Sequence, residues 1–336
     1  MSEAFLAAPL FVLSTLMAAV VLRFASRASL IAVPVDRSSH MAPTPVGGGL
    51  AIVATYLVGL FYLRWNGFLP ASEFFALAVS LVVAIVGLID DRRHVDFRMR
   101  LFVQLAAVFM VMAFIGDISQ IAISGVVIEI PVIVWTLLAL SLLWMTNLYN
   151  FMDGIDGFAG IQTCFVGFAA AGLLIAGQDY GLALLCLFLA AGAAGFLVWN
   201  WPPARIFMGD VGSGFIGFTL GVVAILSIKH ESLNLWSWLL LMGCFLVDAS
   251  LTLLRRVAAG ERWYQAHCTH AFQNAARKAG SHQRVTVGLL LINLIWLLPI
   301  ATLTTIHPEY GVYLAMIGLI PLGMLALWLG AGRNVS

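Results

Sequence analysis

"PVIVWTLLALSLLWMTNLYNFMDGIDGFAGIQTCFVGFAAAGLLIAG", residues 131–177, holds two apolar runs, 131–147 and 158–177, joined by a short polar segment. Each run approaches the ~20 residues that a helix needs to cross a bilayer. The segment between them carries an amide and two carboxylates, Asn150, Asp153 and Asp156, three residues apart, with Gly154 and Gly157 beside them. On a continuous helix that spacing places all three on one face. The glycines let the backbone approach a ligand closely or break the helix. The stretch therefore predicts two membrane spans with a polar site at their junction.

The whole composition agrees. Hydrophobic residues make up 62% of the 336 and charged residues 10%, against about half and a quarter in a soluble domain. The expected fold class is an all-α polytopic integral membrane protein. Runs at 4–22, 46–63, 73–89, 101–116, 131–147, 158–177, 181–199, 213–228, 235–254, 286–306 and 309–331 predict about 11 transmembrane helices. The β-branched, roughly alternating "ISQIAISGVVIEI", 118–130, predicts a short periplasmic β-hairpin. No repeat or soluble domain stands apart, so residues 1–336 form a single transmembrane domain. Cys164, Cys186, Cys244 and Cys268 show no paired spacing, so neither a disulfide framework nor a zinc site is expected. No basic region precedes the first apolar run, which reads as a retained helix.

Eleven crossings sort the loops into two sets. One set holds 23–45, 90–100, 148–157, 200–212, 255–285 and the C-terminal tail. It carries 15 of the 17 Lys and Arg residues, leaving Arg64 and Lys229 to the other. The positive-inside rule makes the first set cytoplasmic and the N-terminus periplasmic. Asp36, Asp90, Asp91, Asp96, Asp153, Asp156 and Asp210 lie on that same side. Acidic residues contribute little to topology, so these aspartates point to a cytoplasmic polar site built from converging loops.

Four further motifs feed that site. "GLIDDRR", 87–93, sets Asp90 and Asp91 at a helix C-terminus, where the helix dipole disfavours negative charge. A nearby cation, Arg92, Arg93 or a metal, would relieve the pair. "RIFMGDVGSG", 205–214, places Asp210 between Gly209 and Gly212 at a helix start, suited to phosphate or to a metal that bridges phosphates; a plain N-cap is the alternative. "HCTHAFQNAARKAGSHQR", 267–284, carries His267, His270, Arg277, Lys278, His282 and Arg284 without zinc-type spacing, and reads as a cationic strip for phosphate. "VDRSSHMAPTPVGGG", 35–49, joins Arg37 and His40 to a rigid turn in which Arg37 is placed to hold a phosphate. Asp248, inside the ninth span, is costly there and is expected either at the interface or paired with Arg255 or Arg256. Carboxylates, an Asn, glycine-lined helix ends and a basic loop together suit Mg²⁺ holding a diphosphate.

In this order, "DRSSHMAPTPVGGG", "GLIDDRR", "NLYNFMDGIDG", "FMGDVGSG" and "HCTHAFQ" resemble the polyprenyl-phosphate N-acetylhexosamine-1-phosphate transferase family, of the glycosyltransferase 4 type, and its bacterial O-antigen-initiating branch most of all. The resemblance spans about residues 34–285. It implies transfer of an N-acetylated amino-sugar 1-phosphate from a UDP-sugar to undecaprenyl phosphate, with UMP released. It further implies Mg²⁺, or Mn²⁺ in its place, and a bacterial inner-membrane location. The implied partners are the UDP-amino sugar, undecaprenyl phosphate and membrane lipid, with a homodimer open and no nucleic acid. By motif position Asp210 would be the principal metal ligand, assisted by Asn150. Asp90 would be the candidate base for the lipid phosphate, with Asp91 beside it. Asp153 and Asp156 would serve the nucleotide, and His267 and His270 the phosphates, with Arg37, His40 and Arg284 as further substrate contacts. Two departures stand out: Val35 and Ser38 replace the usual Asn and Lys of the early motif, and Cys268 and Thr269 occupy the histidine motif, which lacks a third His. A peptidoglycan lipid I-forming transferase and a divalent-cation transporter are the competing expectations.

Overall fold

The computed structural model describes residues 2–25, 27–28, 30–32, 43–116, 118, 121–123, 126–261 and 267–333. Arg37 and His40 lie outside the described residues.

Every apolar run is helical. After a 3-10 turn comes α1 (Ala7–Phe24), then a two-residue antiparallel pair, β1 (Ile31–Ala32) with β2 (Thr44–Pro45). α2 (Gly49–Trp65) is followed by α3 (Ala71–Ala78) and α4 (Ser80–Arg92), which form one span, and by α5 (Phe97–Ile115). The β3 (Ile121–Ile123) and β4 (Val126–Ile128) strands pair antiparallel with Ile123 opposite Val126, the hairpin that the alternation predicts. α6 (Pro131–Met152), α7 (Phe158–Ala176), α8 (Tyr180–Asn200) and α9 (Asp210–Lys229) follow. α10 (Leu235–Leu241) and α11 (Gly243–Ala258) meet at a 79° bend. α12 (Ala271–Ala279) is short; α13 (His282–Ile292), a π turn and α14 (Leu298–Ile306) make one span, and α15 (Gly311–Trp328) the last. Among the described residues nine segments are long and apolar enough to cross a membrane. The bent pair, taken as one span, makes a tenth; α2, apolar but only 17 residues long, falls short of that length, so nine or ten of the eleven expected spans are met.

Local chemistry sets the ends. Asp96 caps α5 through the Arg98 amide at 2.8 Å, and Asp179 caps α8 through that of Leu182 at 3.2 Å. Pro131 opens α6, where its missing N–H is no loss. The bend between α10 and α11 frees the Leu241 carbonyl, which takes a hydrogen bond from Gln162 Nε2 at 3.0 Å. Gln162 in turn accepts from Asn293 Nδ2 at 2.6 Å, at the π turn that precedes Pro299. Bilayer interiors require such internal partners, since no water is there to replace them.

The expected single face for Asn150, Asp153 and Asp156 does not form. α6 ends at Met152, and Asp153 adopts φ −83°, ψ 54°. Residues 153–157 are a loop, because Gly157 turns left-handed at φ 72° to start α7. Asn150 stays on the last turn of α6, while the two aspartates belong to the loop.

α9 is the axis of the bundle, buried along nearly its whole length and packed against α2, α4 and α6. Small residues allow the approach. A Cβ on Gly217 would lie 2.2 Å from the Met145 carbonyl of α6, and one on Gly49 2.3 Å from Gly212 Cα. One on Gly87 of α4 would strike the Asp210 carbonyl at 2.4 Å. That last contact sets the tip of α4 beside the first turn of α9. Large apolar side chains such as Phe102, Phe109, Ile295 and Trp328 are exposed on the outer helices, where lipid covers them.

Candidate active site

Asp91 lies one turn beyond Gly87, so the close packing of α4 on α9 delivers its carboxylate to the start of α9. Asp91 Oδ1 accepts from the Asp210 amide at 2.8 Å and Oδ2 from the Val211 amide at 3.1 Å. The helix that lacks an N-cap of its own side chain is thus capped by another span. Gly209 is required here twice: its φ is 78°, and a Cβ would sit 2.5 Å from Asp91 Oδ2.

Asp90 points to a different set of partners. Its Oδ1 accepts from the Val95 amide at 2.7 Å, and its Oδ2 meets Arg100 Nη1 at 2.6 Å. The same Arg100 nitrogen is 3.1 Å from Asp210 Oδ2. Asn150 Nδ2 donates to Asp210 Oδ1 at 2.7 Å and to Ser213 Oγ at 3.1 Å. Four elements, α4, α5, α6 and α9, therefore meet in one hydrogen-bonded cluster. Beneath it Val86, Gly87, Gln104, Asn147 and Gly214 help line a narrow cleft of about 30 Å³. Arg100, not Arg92 or Arg93, is the cation beside the acidic pair; those two arginines are exposed. Sequence reasoning missed Arg100 and Ser213. Arg100 is one of four arginines within nine residues, and nothing in their order marks the one that turns inward.

The loop after α6 closes one side. Burial, and then the negative charges of Asp91 and Asp156, push the Asp153 carboxyl up to about 7. Asp156 accepts from the Ala204 amide at 3.1 Å and lies 3.3 Å from His282 Nδ1. Asn200 bridges the same loops, accepting from the Gly157 amide and donating to the Ile206 carbonyl. Asp156 thus ties three segments together, while Asp153 lies near enough to Asp91 to feel its charge.

The histidine segment lies on the other side of that loop. A Cβ on Gly154 would meet Gln273 Nε2 at 2.8 Å and the Phe272 ring at 3.0 Å, so α12 rests directly on the glycine. The His270 and His267 rings are 4.8 Å apart, and His270 stacks near Phe151, next to Asn150. Burial, followed by the neighbouring His270 and Arg256, drives the His267 imidazole down to about 3. It is neutral at physiological pH and offers a hydrogen bond rather than a charge. The expected cationic strip dissolves further. Arg277 bonds the Cys268 carbonyl and Asn274, Arg284 bonds the Ala279 carbonyl, and Lys278 covers the Trp328 ring. Arg284 is exposed and is not brought to the carboxylates. Asp248 pairs with neither Arg255 nor Arg256: Arg255 reaches the Ala331 carbonyl and Arg256 the Glu261 carboxylate. All four cysteines are free.

Among the described residues no group of three or more His, Cys, Asp and Glu side chains is arranged to hold a metal ion. The donors that converge are Asp90, Asp210, Asn150 and Ser213, all oxygen-bearing, around a single arginine, with Asp91 holding the start of α9 beside them. Such a set suits a hard divalent cation that takes one or two protein carboxylates and completes its shell from water and phosphate. It does not form an all-protein cage.

Residues 73–228, which hold Asp90, Asp91, Arg100, Asn150, Asp153 and Asp210, match the model of glycosyl transferase family 4. The chain is 24% identical, over 82% of its length and 78% of the relative's, to a probable undecaprenyl-phosphate N-acetylglucosaminyl 1-phosphate transferase of Bacillus subtilis. It is 29% identical to a decaprenyl-phosphate N-acetylglucosaminephosphotransferase of Mycobacterium leprae, over 80% and 75% of the two chains. A phospho-N-acetylmuramoyl-pentapeptide-transferase of Rippkaea orientalis is 32% identical, over 65% of this chain and 61% of its own. The protein is a membrane-embedded sugar-phosphate transferase. Its likeness is to the polyprenyl-phosphate N-acetylhexosamine-1-phosphate transferases.

Proposed function

We propose that this enzyme transfers an N-acetylated amino-sugar 1-phosphate from a UDP-sugar to undecaprenyl phosphate at the cytoplasmic face of a bacterial inner membrane. The product, undecaprenyl-diphosphate-sugar, would initiate O-antigen or a related surface polysaccharide. The observation that carries the reading is the cluster of Asp90, Arg100, Asn150 and Asp210, built from four span ends beside a cleft. Acidic, amide and guanidinium groups gathered at span ends are the chemistry that a diphosphate and a lipid phosphate would both need at a membrane surface. The distribution of Lys and Arg favours the cytoplasmic side for this end.

In the reaction a lipid-phosphate oxygen attacks the sugar-side phosphorus of the UDP-sugar. The new P–O bond forms as the bond to the bridging oxygen breaks, and that oxygen leaves with UMP. One phosphoanhydride replaces another, so little energy is gained or lost. Asp210 and Asn150 would hold Mg²⁺, which when bound neutralises diphosphate charge and makes phosphorus more electrophilic. Asp90 is the candidate acceptor of the lipid phosphate's proton, once Arg100 turns from its carboxylate to substrate phosphate. Asp91 acts by holding the first turn of α9, and so Asp210, in place. Asp153 and the neutral His267 line the donor's path, with His270 on its phosphates.

The test is the purified chain in detergent with polyprenyl phosphate, Mg²⁺ and a panel of UDP-sugars. UMP release with one UDP-N-acetylhexosamine is the expected result, and Asp210→Asn should abolish it while folded protein remains. Turnover only with the muramoyl-pentapeptide donor would instead assign the peptidoglycan reaction. Liposomes that move Mg²⁺ with no UMP released would favour a transporter.

A further inference from the structure

Most polar side chains inside the spans are engaged in holding the fold. Asp248 of α11 is one: its two oxygens accept from the Ala271 and Phe272 amides, each at 2.9 Å, and so cap α12. Gln104 of α5 is different. It is half-buried, one helical turn beyond Arg100 and about 6 Å further along the span. Asn147 of α6 stands opposite, one turn before Asn150. Asn147 Nδ2 donates to Gln104 Oε1 at 3.0 Å and to the Leu143 carbonyl at 2.8 Å. A carbonyl can only accept, so Leu143 fixes which end of the Asn147 amide is nitrogen. Asn147 fixes Gln104 in the same way, with its oxygen toward α6. Both hydrogens of Gln104 Nε2 are left over, and among the described residues that nitrogen makes no hydrogen bond.

The pair ties α5 to α6, as amides do between membrane helices. One oxygen of Gln104 is enough for that, and its amino group has something still to bind. Gln104 and Asn147 line the same cleft as Arg100, Asn150 and Asp210. At about 30 Å³ it has room for about two waters, hence for the oxygens of one phosphate and not for a sugar or a base.

We propose that Gln104 binds the phosphate of the lipid acceptor, with Asn147 holding its amide the right way round. The proposal rests on the reading of the enzyme as a polyprenyl-phosphate transferase. An amino group donates, as a guanidinium does, and ionised phosphate oxygens accept. The amide adds this donor without a second charge, which would be costly at that depth. Arg100 and Gln104, four residues apart on one face of α5, then hold one phosphate between them. Depth separates the two phosphate sources in the reaction. The UDP-sugar is soluble and comes to the span ends from water. The lipid phosphate is tethered to a chain that lies in the bilayer, so it is the one that a donor a turn inside the span meets.

Kinetics and binding on the full-length chain in detergent test it, with the UDP-sugar that the panel identifies. Gln104→Glu keeps the oxygen that Asn147 bonds and replaces only the amino group. Gln104→Met removes the donors without adding charge. Each should raise the KM for polyprenyl phosphate by about 10- to 100-fold, as loss of a hydrogen bond to a charged group does, with kcat and the KM for the UDP-sugar within about twofold. Asn147→Ala should raise the same KM, yet cost nothing further when added to Gln104→Met. A second comparison needs no turnover. The wild-type chain should bind undecaprenyl phosphate more tightly than undecaprenol, and Gln104→Met should lose most of that preference while binding undecaprenol as before. A rise confined to the KM for the UDP-sugar would give the seat to the donor's diphosphate and overturn the proposal. An undiminished preference for the phosphate headgroup in both Gln104 variants would do the same. Equal binding of the two lipids by the wild-type chain would overturn it even if no variant folded. A wild-type chain that released no UMP with any UDP-sugar would sink the functional reading, and the lipid comparison would still decide for or against Gln104.

Discussion

Asp91 of α4 accepts from the backbone amides of Asp210 and Val211 with its two oxygens, so one span closes the helix start of another. Asp90, its neighbour in sequence, instead shares the Arg100 guanidinium with Asp210. Equivalent substitutions should therefore have different consequences. Asp91→Asn keeps one acceptor and leaves one amide unpartnered, at a cost of about 1–3 kcal/mol. A lower melting temperature should accompany its loss of turnover. Asp90→Asn should lose turnover with much less effect on melting. Thermal melting in detergent beside UMP release separates the two, and equal melting for both variants would contradict the assignment.

Arg100 stands between two carboxylates and is the cation of the cluster. Arg100→Ala leaves Asp90, 8% exposed, facing Asp210 without it. Unpaired buried charge is costly, and like charges repel. The variant should melt lower at minimal Mg²⁺ and recover more than the wild-type chain as Mg²⁺ is added. Turnover should fall by about 10- to 100-fold for want of phosphate contacts, and Arg100→Lys should regain part of it. Identical Mg²⁺ titration curves for the wild-type and Arg100→Ala chains would remove Arg100 from the charge balance of the site.

Hydropathy made the spans legible because each must cover the bilayer alone. The hairpin at 121–128 was legible for a similar local reason, its alternation. The grouping of Asp90, Asn150 and Asp210 was legible only through motif order, since no local pattern brings residues 60 or 120 apart together. Residues 150–156 misled because spacing by three mimics a helical face, whereas Gly154 and the left-handed Gly157 end the helix first. Arg100 and Asp248 were illegible as to partner. An arginine among arginines and an acid within a span announce a cost, and only packing decides what offsets it.

The opposite end of the bundle holds a proton-dependent clamp. His230 Nδ1 is 2.8 Å from Asp179 Oδ2, its Nε2 is 2.9 Å from Glu73 Oε1, and Ser232 also donates to Asp179. Hydrogen bonds to the two carboxylates raise the His230 imidazole from 6.5 to about 9, and the same imidazolium holds the Asp179 carboxyl below its usual range. The folded form therefore grips the His230 proton more tightly than the unfolded chain does. That stabilisation is complete below about 6.5 and is lost as pH rises through about 9. The melting temperature should decline across this window, and His230→Gln should flatten the decline. An unchanged slope in the variant would remove His230 as its source. Glu231→Gln, beside it, should alter neither melting slope nor turnover.

The chain beyond α15 returns to the histidine segment and should be needed for it. Gly332 donates its amide to the Thr269 carbonyl at 2.8 Å, Asn274 Nδ2 donates to the Gly330 carbonyl at 2.8 Å, and Arg255 Nη1 to the Ala331 carbonyl at 2.7 Å. Ala331 is fully buried in a small cluster with Ala271 and Ala326. Each hydrogen bond contributes about 0.5–1.5 kcal/mol, enough together to decide whether a nine-residue helix stays docked but modest beside the bundle's core. Deleting residues 330–336 should therefore lower turnover by about tenfold, as roughly 1.4 kcal/mol of lost positioning would, while leaving the chain folded and monodisperse. Deleting 334–336 alone keeps all three contacts and should leave turnover intact. Size-exclusion profiles and UMP release for the two truncations check this. Full activity after removal of 330–336 would show that Asp248 and the packing of α12 hold the histidines without help from the tail.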